Sequence, residues 1–189
     1  NASTDLAAST ILANLCTDAF RKATGAQIAL TANGLMRNGL TRGKTGVQTV
    51  YDVFAVAPAG SGVLNTTPGS TLVTGYLTGK ELKNVLEFCL AGSSARPGDY
   101  FPRASGLRFT YDPARPQFDL VTEVALGDLD RGYMAIDITG ADSQIYGVTS
   151  PLFFALMVTA IPKFTDGRLT LVPKNKHGQP LQSRVEAIA

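Results

Sequence analysis

The sequence predicts an α+β fold, a single domain with a mixed sheet and packed helices. Two observations carry most of that reading. Twice, an apolar strand-like run lies directly beside a helix-spaced apolar pattern: Gln27–Thr31 after the first pattern, and Thr71–Leu77 before the second. Later runs near Leu107–Tyr111, Leu120–Ala125 and Tyr133–Ile138 then follow one another with only turn residues between them, as strands of a meander do. The length of 189 residues and 44% hydrophobic content suit one globular domain with a real core, and no tandem period is evident.

The elements follow in order. From Asp5 to Thr24, Ala8, Leu12, Leu15 and Ala19 recur with helical spacing, joined by Ile11, Cys16 and Phe20 on the same side. Ser3, Thr4 and Asp5 offer N-caps, and Gly25 supplies the stop. The run Gln27–Thr31 ends in Asn33-Gly34. Gly39, Gly43 and Gly46 mark the next stretch as loop, and Thr49 to Val56 reads as a short helix or turn. Residues 57–70, rich in Gly, Pro, Ser and Thr, read as an exposed loop. Thr78 and Glu81 form a capping box ahead of a stripe of Leu82, Val85, Leu86, Cys89 and Leu90, which predicts the best-marked helix. Ala91 to Phe101 reads as loop. Asp112-Pro113 and Gly127-Asp128 bound the later strands. Ile145–Thr149 predicts a strand, Leu152–Ala160 a helix, and Arg168–Val172 a last strand before a polar tail.

Charge excludes several function classes. Lys and Arg total 17 against 15 Asp and Glu, a net +2 spread evenly along the chain, which does not suit nucleic acid or an acidic membrane surface. The longest apolar stretch, PLFFALMVTAI, is too short for a membrane span. No signal peptide is legible. Cys16 and Cys89 both fall on apolar helix faces and read as buried thiols, with a disulfide between them left open.

Catalytic motifs are scarce. The single histidine, His177, lies in the polar segment KNKHGQP, so neither a serine nucleophile with its base nor a typical metal site is expected. GSG at 60–62 lacks the flanks of a nucleophile elbow, and TGKE at 78–81 lacks the rest of a Walker loop. Asp112, Asp119, Asp128 and Asp130 stand near turns, where carboxylates usually serve the backbone. The chain by itself does not read as a complete enzyme. The exception to this plainness is LTANGLMRNGL at 30–40. There Asn33-Gly34 is expected to bend the chain through positive φ, with the Asn33 side chain bracing the loop or facing a ligand. Arg37 presents a planar fork of donors suited to phosphate or carboxylate, although for these residues alone a turn with a solvated arginine is the preferred reading.

Five collinear segments bear on that loop: ILANLCTDAF (11–20), TGAQIALTANGLMR (24–37), TVYDVFAVAP (49–58), LTGKELKNVLE (77–87) and SGLRFTYDPARP (105–116). Together they resemble the C-terminal domain of the 5′-nucleotidase family, which includes UDP-sugar hydrolases and 2′,3′-cyclic phosphodiesterases. The resemblance covers most of residues 6–140.

It implies a 5′-nucleotidase C-terminal domain-like fold over 1–189 that binds a nucleotide or related phosphate ester. The catalytic machinery and two divalent metal ions would belong to an N-terminal metallophosphoesterase domain that this chain lacks. Domain rotation would bring the substrate to those metals. Export to the periplasm or cell surface is implied as well. Asn33, Gly34 and Arg37 stand at the family's strand-loop motif, so Arg37 is expected to clamp an anion with Asn33 assisting. Asn14 matches the family's GNL asparagine, and Asp18 matches a helix aspartate expected to be structural.

The departures are specific. Where the family carries a Phe that stacks on the base, this chain has Pro58-Ala59-Gly60-Ser61. The Gly-Gly-Asp-Gly motif is missing, and the aligned VTSPLFFALM offers Phe153 or Phe154, of which Phe153 is the expected contact. Arginines that precede the family's first helix have no counterpart in NASTDLAAST. These departures keep two other roles in view: a binding module that kept the fold and lost nucleotide recognition, and a scaffold domain without a ligand.

Overall fold

The computed structural model describes residues 11–37, 39–40, 43–58, 69, 71–96, 98–183 and 186. Two sheets share one core. The first is mixed and has the order β2-β7-β1-β3, from β1 (Ile28–Ala32), β2 (Leu72–Thr78), β3 (Pro102–Ser105) and β7 (Ile145–Pro151). Only β1 and β7 run parallel, with Ile28 opposite Val148; the other neighbours are antiparallel. The second sheet is the expected meander, β4 (Leu107–Tyr111), β5 (Val121–Asp128) and β6 (Gly132–Ala135).

All five residues of β1 are buried, as a strand covered on both faces should be. Alternation sends Ile28, Leu30 and Ala32 into the main core, with Ala29 and Thr31 on the opposite face. Against the core side lies α3 (Gly79–Ala95), whose stripe of Leu82, Val85, Leu86, Cys89 and Leu90 is at most 5% exposed. Burying each such aliphatic side chain contributes roughly 1.5–3 kcal/mol. The capping box is present as expected: Glu81 N–H donates to Thr78 Oγ1, and Thr78 N–H donates to Glu81 Oε2 at 2.8 Å. The helix continues to Ala95, into the stretch read as loop from Ala91.

Two carboxylates on α3 then hold distant segments. Glu87 is fully buried and accepts the N–H groups of Leu120 and Val121 at 2.9 and 2.6 Å, pinning the start of β5. Glu81 also accepts Val172 N–H and the Lys174 ammonium, both its oxygens lying 2.6 Å from Nζ. The expected strand Arg168–Val172 is not one. Leu169 and Leu171 alternate into the core, but Thr170 C=O accepts from Asn84 and Val172 N–H goes to Glu81, so side chains of α3 take the place of a ladder.

Helix α1 (Ile11–Thr24) ends at Gly25, whose φ of 69° closes it with a bond from its N–H to Arg21 C=O. Its orientation corrects the expected apolar face. Ala13 and Thr17 are the buried residues, while Ile11 and Leu15 are 90% and 56% exposed and Ala19 is exposed too. Leu12, Cys16 and Phe20 are half-buried. The helix packs on β1 and β3, where β1 offers only Ala29 and Thr31, so a small-residue face lets it approach. Ala8 and the expected N-caps Ser3, Thr4 and Asp5 lie outside the described residues.

The remaining differences are local. The short helix α2 (Val50–Phe54) carries its own capping box, Thr49 with Asp52. β6 stops at Ala135 because Asp137 turns the chain, accepting N–H groups from Thr139, Gly140 and Asp142. β3, α4 (Leu152–Thr159) and α5 (Ile161–Phe164) complete the fold; of these the sequence predicted only α4. The loop expected at 57–70 falls almost wholly outside the described residues. No helix among the described residues is long and apolar enough to cross a membrane.

Burial pushes the Glu81 carboxyl up, but the bonds from Lys174, Thr78 and Val172 outweigh it and hold the folded-state pKa below the ordinary 4.5. A depressed folded pKa means that the stabilisation is present above pH 4.5 and is lost as pH falls through the folded value. Glu81→Gln is therefore expected to cost about 1–3 kcal/mol at pH 7 in urea unfolding, and to flatten the fall in stability below pH 4.5.

Candidate functional site: the loop after β1

Beyond Ala32, residues Asn33–Leu35 form a single turn of 3-10 helix. Asn33 is buried and makes three bonds to one segment across the sheet. Its N–H donates to Phe101 C=O at 2.9 Å, its Nδ2 donates to Gly98 C=O at 2.6 Å, and its Oδ1 accepts from Arg103 Nε at 3.0 Å. Gly34 N–H adds a bond to Asp99 C=O at 2.7 Å. The turn is thus bracketed to residues 98–103 from both its backbone and its one polar side chain.

Positive φ is not what this turn needs. Neither Asn33 nor Gly34 adopts it. Gly34 is there for closeness: a Cβ on it would meet the Asp99 carbonyl oxygen at 3.0 Å and Asp99 Cα at 3.1 Å. The expected bend is real, and its cause is proximity to a second backbone.

Arg37 leaves this turn exposed to solvent, its backbone N–H fixed to Val56 C=O at 2.8 Å. Val56 precedes Pro58, where the divergent loop starts; Ala59, Gly60 and Ser61 lie outside the described residues. Phe153, 50% exposed, lines a small recess with Leu35, Met36 and Ala57; Arg37 follows Met36 in the chain and is not among the lining residues. At about 10 Å³ the recess is no ligand cavity, so Phe153 offers a ring edge on the surface. Phe154 is 2% exposed and belongs to the core, so of the two rings only Phe153 stands at the surface.

Asn14 lies elsewhere. It is exposed on α1 and lines a separate cleft of about 750 Å³ between α1, β3 and the second sheet. Arg103 connects the two places, since it lines this cleft and also bonds Asn33. Its guanidinium sits 5.2 Å from the Phe101 ring centroid. Asp18 accepts the Ser105 hydroxyl in a very short contact, and Arg21 donates to Ser105 Oγ at 3.3 Å and to Asp128 at 3.5 Å. Asp18 therefore fastens α1 to β3, the structural part expected for it. The Arg131 N–H, with Arg131 and Arg21 nearby, holds the Asp128 carboxyl below the usual range despite some desolvation.

Arg103 and Ser105 escaped the sequence reading because PRAS (102–105) opens on proline and lacks apolar alternation. The arginine two residues ahead of Ser105, in a segment flanked by Phe101 and Gly106, was the available signal. Asp112 and Asp128 serve turn N–H groups, from Ala114 and Arg131, as expected for such positions. His177 is exposed in a turn closed on Asn175. Among the described residues no three His, Cys, Asp or Glu side chains gather as a metal site would require. Cys16 and Cys89 are free thiols, Cys16 only half-buried, and burial pushes the Cys89 thiol up to about 12.

A mixed four-stranded sheet covered by helices, with a three-stranded meander beside it, defines an α+β domain. Residues 2–154 match the family described as 5′-nucleotidase, C-terminal domain, and the chain belongs to that family. Solved structures agree with the fold. The 5′-nucleotidase precursor from Thermus thermophilus superposes with a TM-score of 0.65 at 25% identity, over 94% of this chain and 32% of that one. Haemophilus influenzae NAD nucleotidase superposes with a TM-score of 0.63 at 17% identity, over 84% of this chain and 26% of that one. A putative 5′-nucleotidase from Staphylococcus aureus, solved with alpha-ketoglutarate, gives 0.55 at 17% identity over 93% of this chain and 31% of that one. The chain thus spans about a third or less of each of these proteins. No curated protein matches it in sequence.

The bracket and the arginine should separate in their effects on stability. Asn33→Ala leaves Gly98 C=O and Arg103 Nε without their buried partner and is expected to cost about 2–4 kcal/mol in urea unfolding. Arg37→Ala, at an exposed position, should change stability by no more than about 0.5 kcal/mol.

Proposed function

We propose that this chain is the substrate-binding domain of a bacterial-type 5′-nucleotidase-like phosphohydrolase whose catalytic metals are held by an N-terminal metallophosphoesterase domain. The observation that carries the reading is Arg37, exposed on a loop that Asn33 and Gly34 brace rigidly. A guanidinium on a backbone fixed in this way can meet a phosphate with two parallel donors, the side chain itself becoming ordered on binding. The ligand is a nucleotide or related phosphate ester. Asn33 and Gly34 support it by shape, Phe153 offers an apolar edge beside the anion, and Asn14 stands in the neighbouring cleft.

Within this reading the chain's own residues bind and orient. Two divalent ions, bound in the other domain, supply activated water and charge neutralisation at the phosphorus. The described residues present no ligand set for them, so no chemical step is assigned to this domain. Export to the periplasm or cell surface goes with the same reading.

A second reading, a module that binds or scaffolds without nucleotide recognition, has one observation in its favour. Where the family places Gly-Gly-Asp-Gly, this chain forms α4, with Phe154 and Val158 buried in the core. Base sandwiching of the usual kind therefore has no ring on that side beyond Phe153.

The 189-residue chain, incubated with divalent metals and AMP, is expected to release no phosphate above background. In a full-length protein assayed across nucleotides, UDP-sugars and cyclic nucleotides, Arg37→Ala should lower kcat/KM by about ten- to a hundredfold, the loss of one charge-assisted contact. An unchanged kcat/KM removes Arg37 from the site, and no hydrolysis of any of these substrates by the parent favours the module.

A further inference from the structure

The short helix α2, next to the anion loop, carries its apolar side chains uncovered. Val47, Val50, Tyr51, Val53 and Phe54 all stand exposed within residues 47–54, Val50 at 89% and Tyr51 at 77%. No other stretch of the described residues exposes so many large apolar groups. At 3.6 residues per turn, Val50, Tyr51, Val53 and Phe54 span an arc of about 160°, and Asp52 falls opposite its middle. A stripe that wide ordinarily faces a core, and here it faces solvent.

Nothing within the domain covers it. No other described helix or strand packs substantially on α2. What holds the helix is local: the capping box of Thr49 with Asp52, and beyond its end the bond from Arg37 N–H to Val56 C=O. So short a helix gains little from propensity, and its packing surface remains unused.

The Val56 bond also fixes where a cover has to come from. Val53 and Phe54 lie within one helical turn of the residue whose carbonyl holds Arg37. Ala57, which follows, lines the recess with Leu35, Met36 and Phe153. Any body close enough to act on an anion at Arg37 therefore meets α2. A second copy or a membrane seated on α2 would instead shut that body out. The similar structure from Thermus thermophilus has polypeptide enough for one, since this chain aligns with 32% of its length.

Resting on the function proposed above, we infer that α2 is the docking element for the N-terminal, metal-bearing domain. Val50, Tyr51, Val53 and Phe54 seat in an apolar surface of that domain when it meets a ligand held at Arg37. The surface they enter is uncharged, because the one charged residue of α2, Asp52, points away and is already bonded to Thr49.

The test follows hydrogen exchange at residues 49–56 in the full-length protein and in the 189-residue chain, each with divalent metal and inorganic phosphate. Exchange in the full-length protein is expected to be at least about tenfold slower. Tyr51→Ser combined with Val53→Ser should leave the Tm of the 189-residue chain unchanged, since these side chains pack on nothing there. In the full-length protein the same pair should abolish the protection and lower kcat/KM by about tenfold. Equal exchange in the two proteins, or protection that survives the serine pair, would overturn the inference. So would a dimer of the 189-residue chain, or its binding to phosphatidylglycerol vesicles, if either is lost with the serine pair, because α2 then has another occupant. Protection lost with the serine pair in a full-length protein that hydrolyses no phosphate ester would uphold the docking and remove the proposed function.

Discussion

The Asn33 bracket is the constraint on which the candidate site depends. One buried side chain joins the end of β1 to the segment that enters β3, accepting from Arg103 and donating to Gly98. Both partners are backbone or charged groups that would be costly to leave unpaired in the interior. The bond from Gly34 N–H to Asp99 C=O then presses two backbones together, which excludes any side chain at that position without displacement. Arg37 inherits its position from this arrangement and from a bond to Val56, so an exposed and flexible side chain starts from a fixed root.

Around that bracket the molecule is divided by its first sheet. On one face, α1 lies close against β1 and β3 because both surfaces are small there, and Asp18, Ser105 and Arg21 add polar fastening. The cost of that close approach is visible outside, where Ile11 and Leu15 remain in solvent. The other face carries the main hydrophobic core with α3. Glu87 and Glu81 turn that helix into a clamp for the second sheet and for the segment after α5. Both carboxylates are surrounded by donors, which is the condition under which burial of a charge is tolerated.

Local signals were legible wherever their partners lie within a few residues. The Thr78 and Glu81 capping box, the α3 stripe, the Gly25 stop and the buried run of β1 all depend on neighbours one to four positions away, or on period alone. The role of Asn33 was not legible, since its partners stand 65 and 70 residues along the chain. The same holds for the alternation of Leu169 and Leu171, which is a true strand pattern whose hydrogen bonds went to Asn84 and Glu81 instead. On α1, apolar spacing marked a stripe correctly as a stripe, but closeness to Ala29 and Thr31 selected a different face for burial.

By itself the amino-acid sequence determined the class of fold, the helices and strands with local caps and periods, and the lone arginine after Asn33-Gly34. Its five collinear segments also pointed to the family. Only the tertiary structure decided that Asn33 is a buried brace, that Gly34 answers to a second backbone, and that Phe153 rather than Phe154 stands at the surface. It also set Asn14 in a cleft apart from the recess that Phe153 lines. The physical reason is one of range. Capping and periodicity are fulfilled within a turn or two of chain, whereas burial and side-chain bonding depend on which distant segments the sheet brings together.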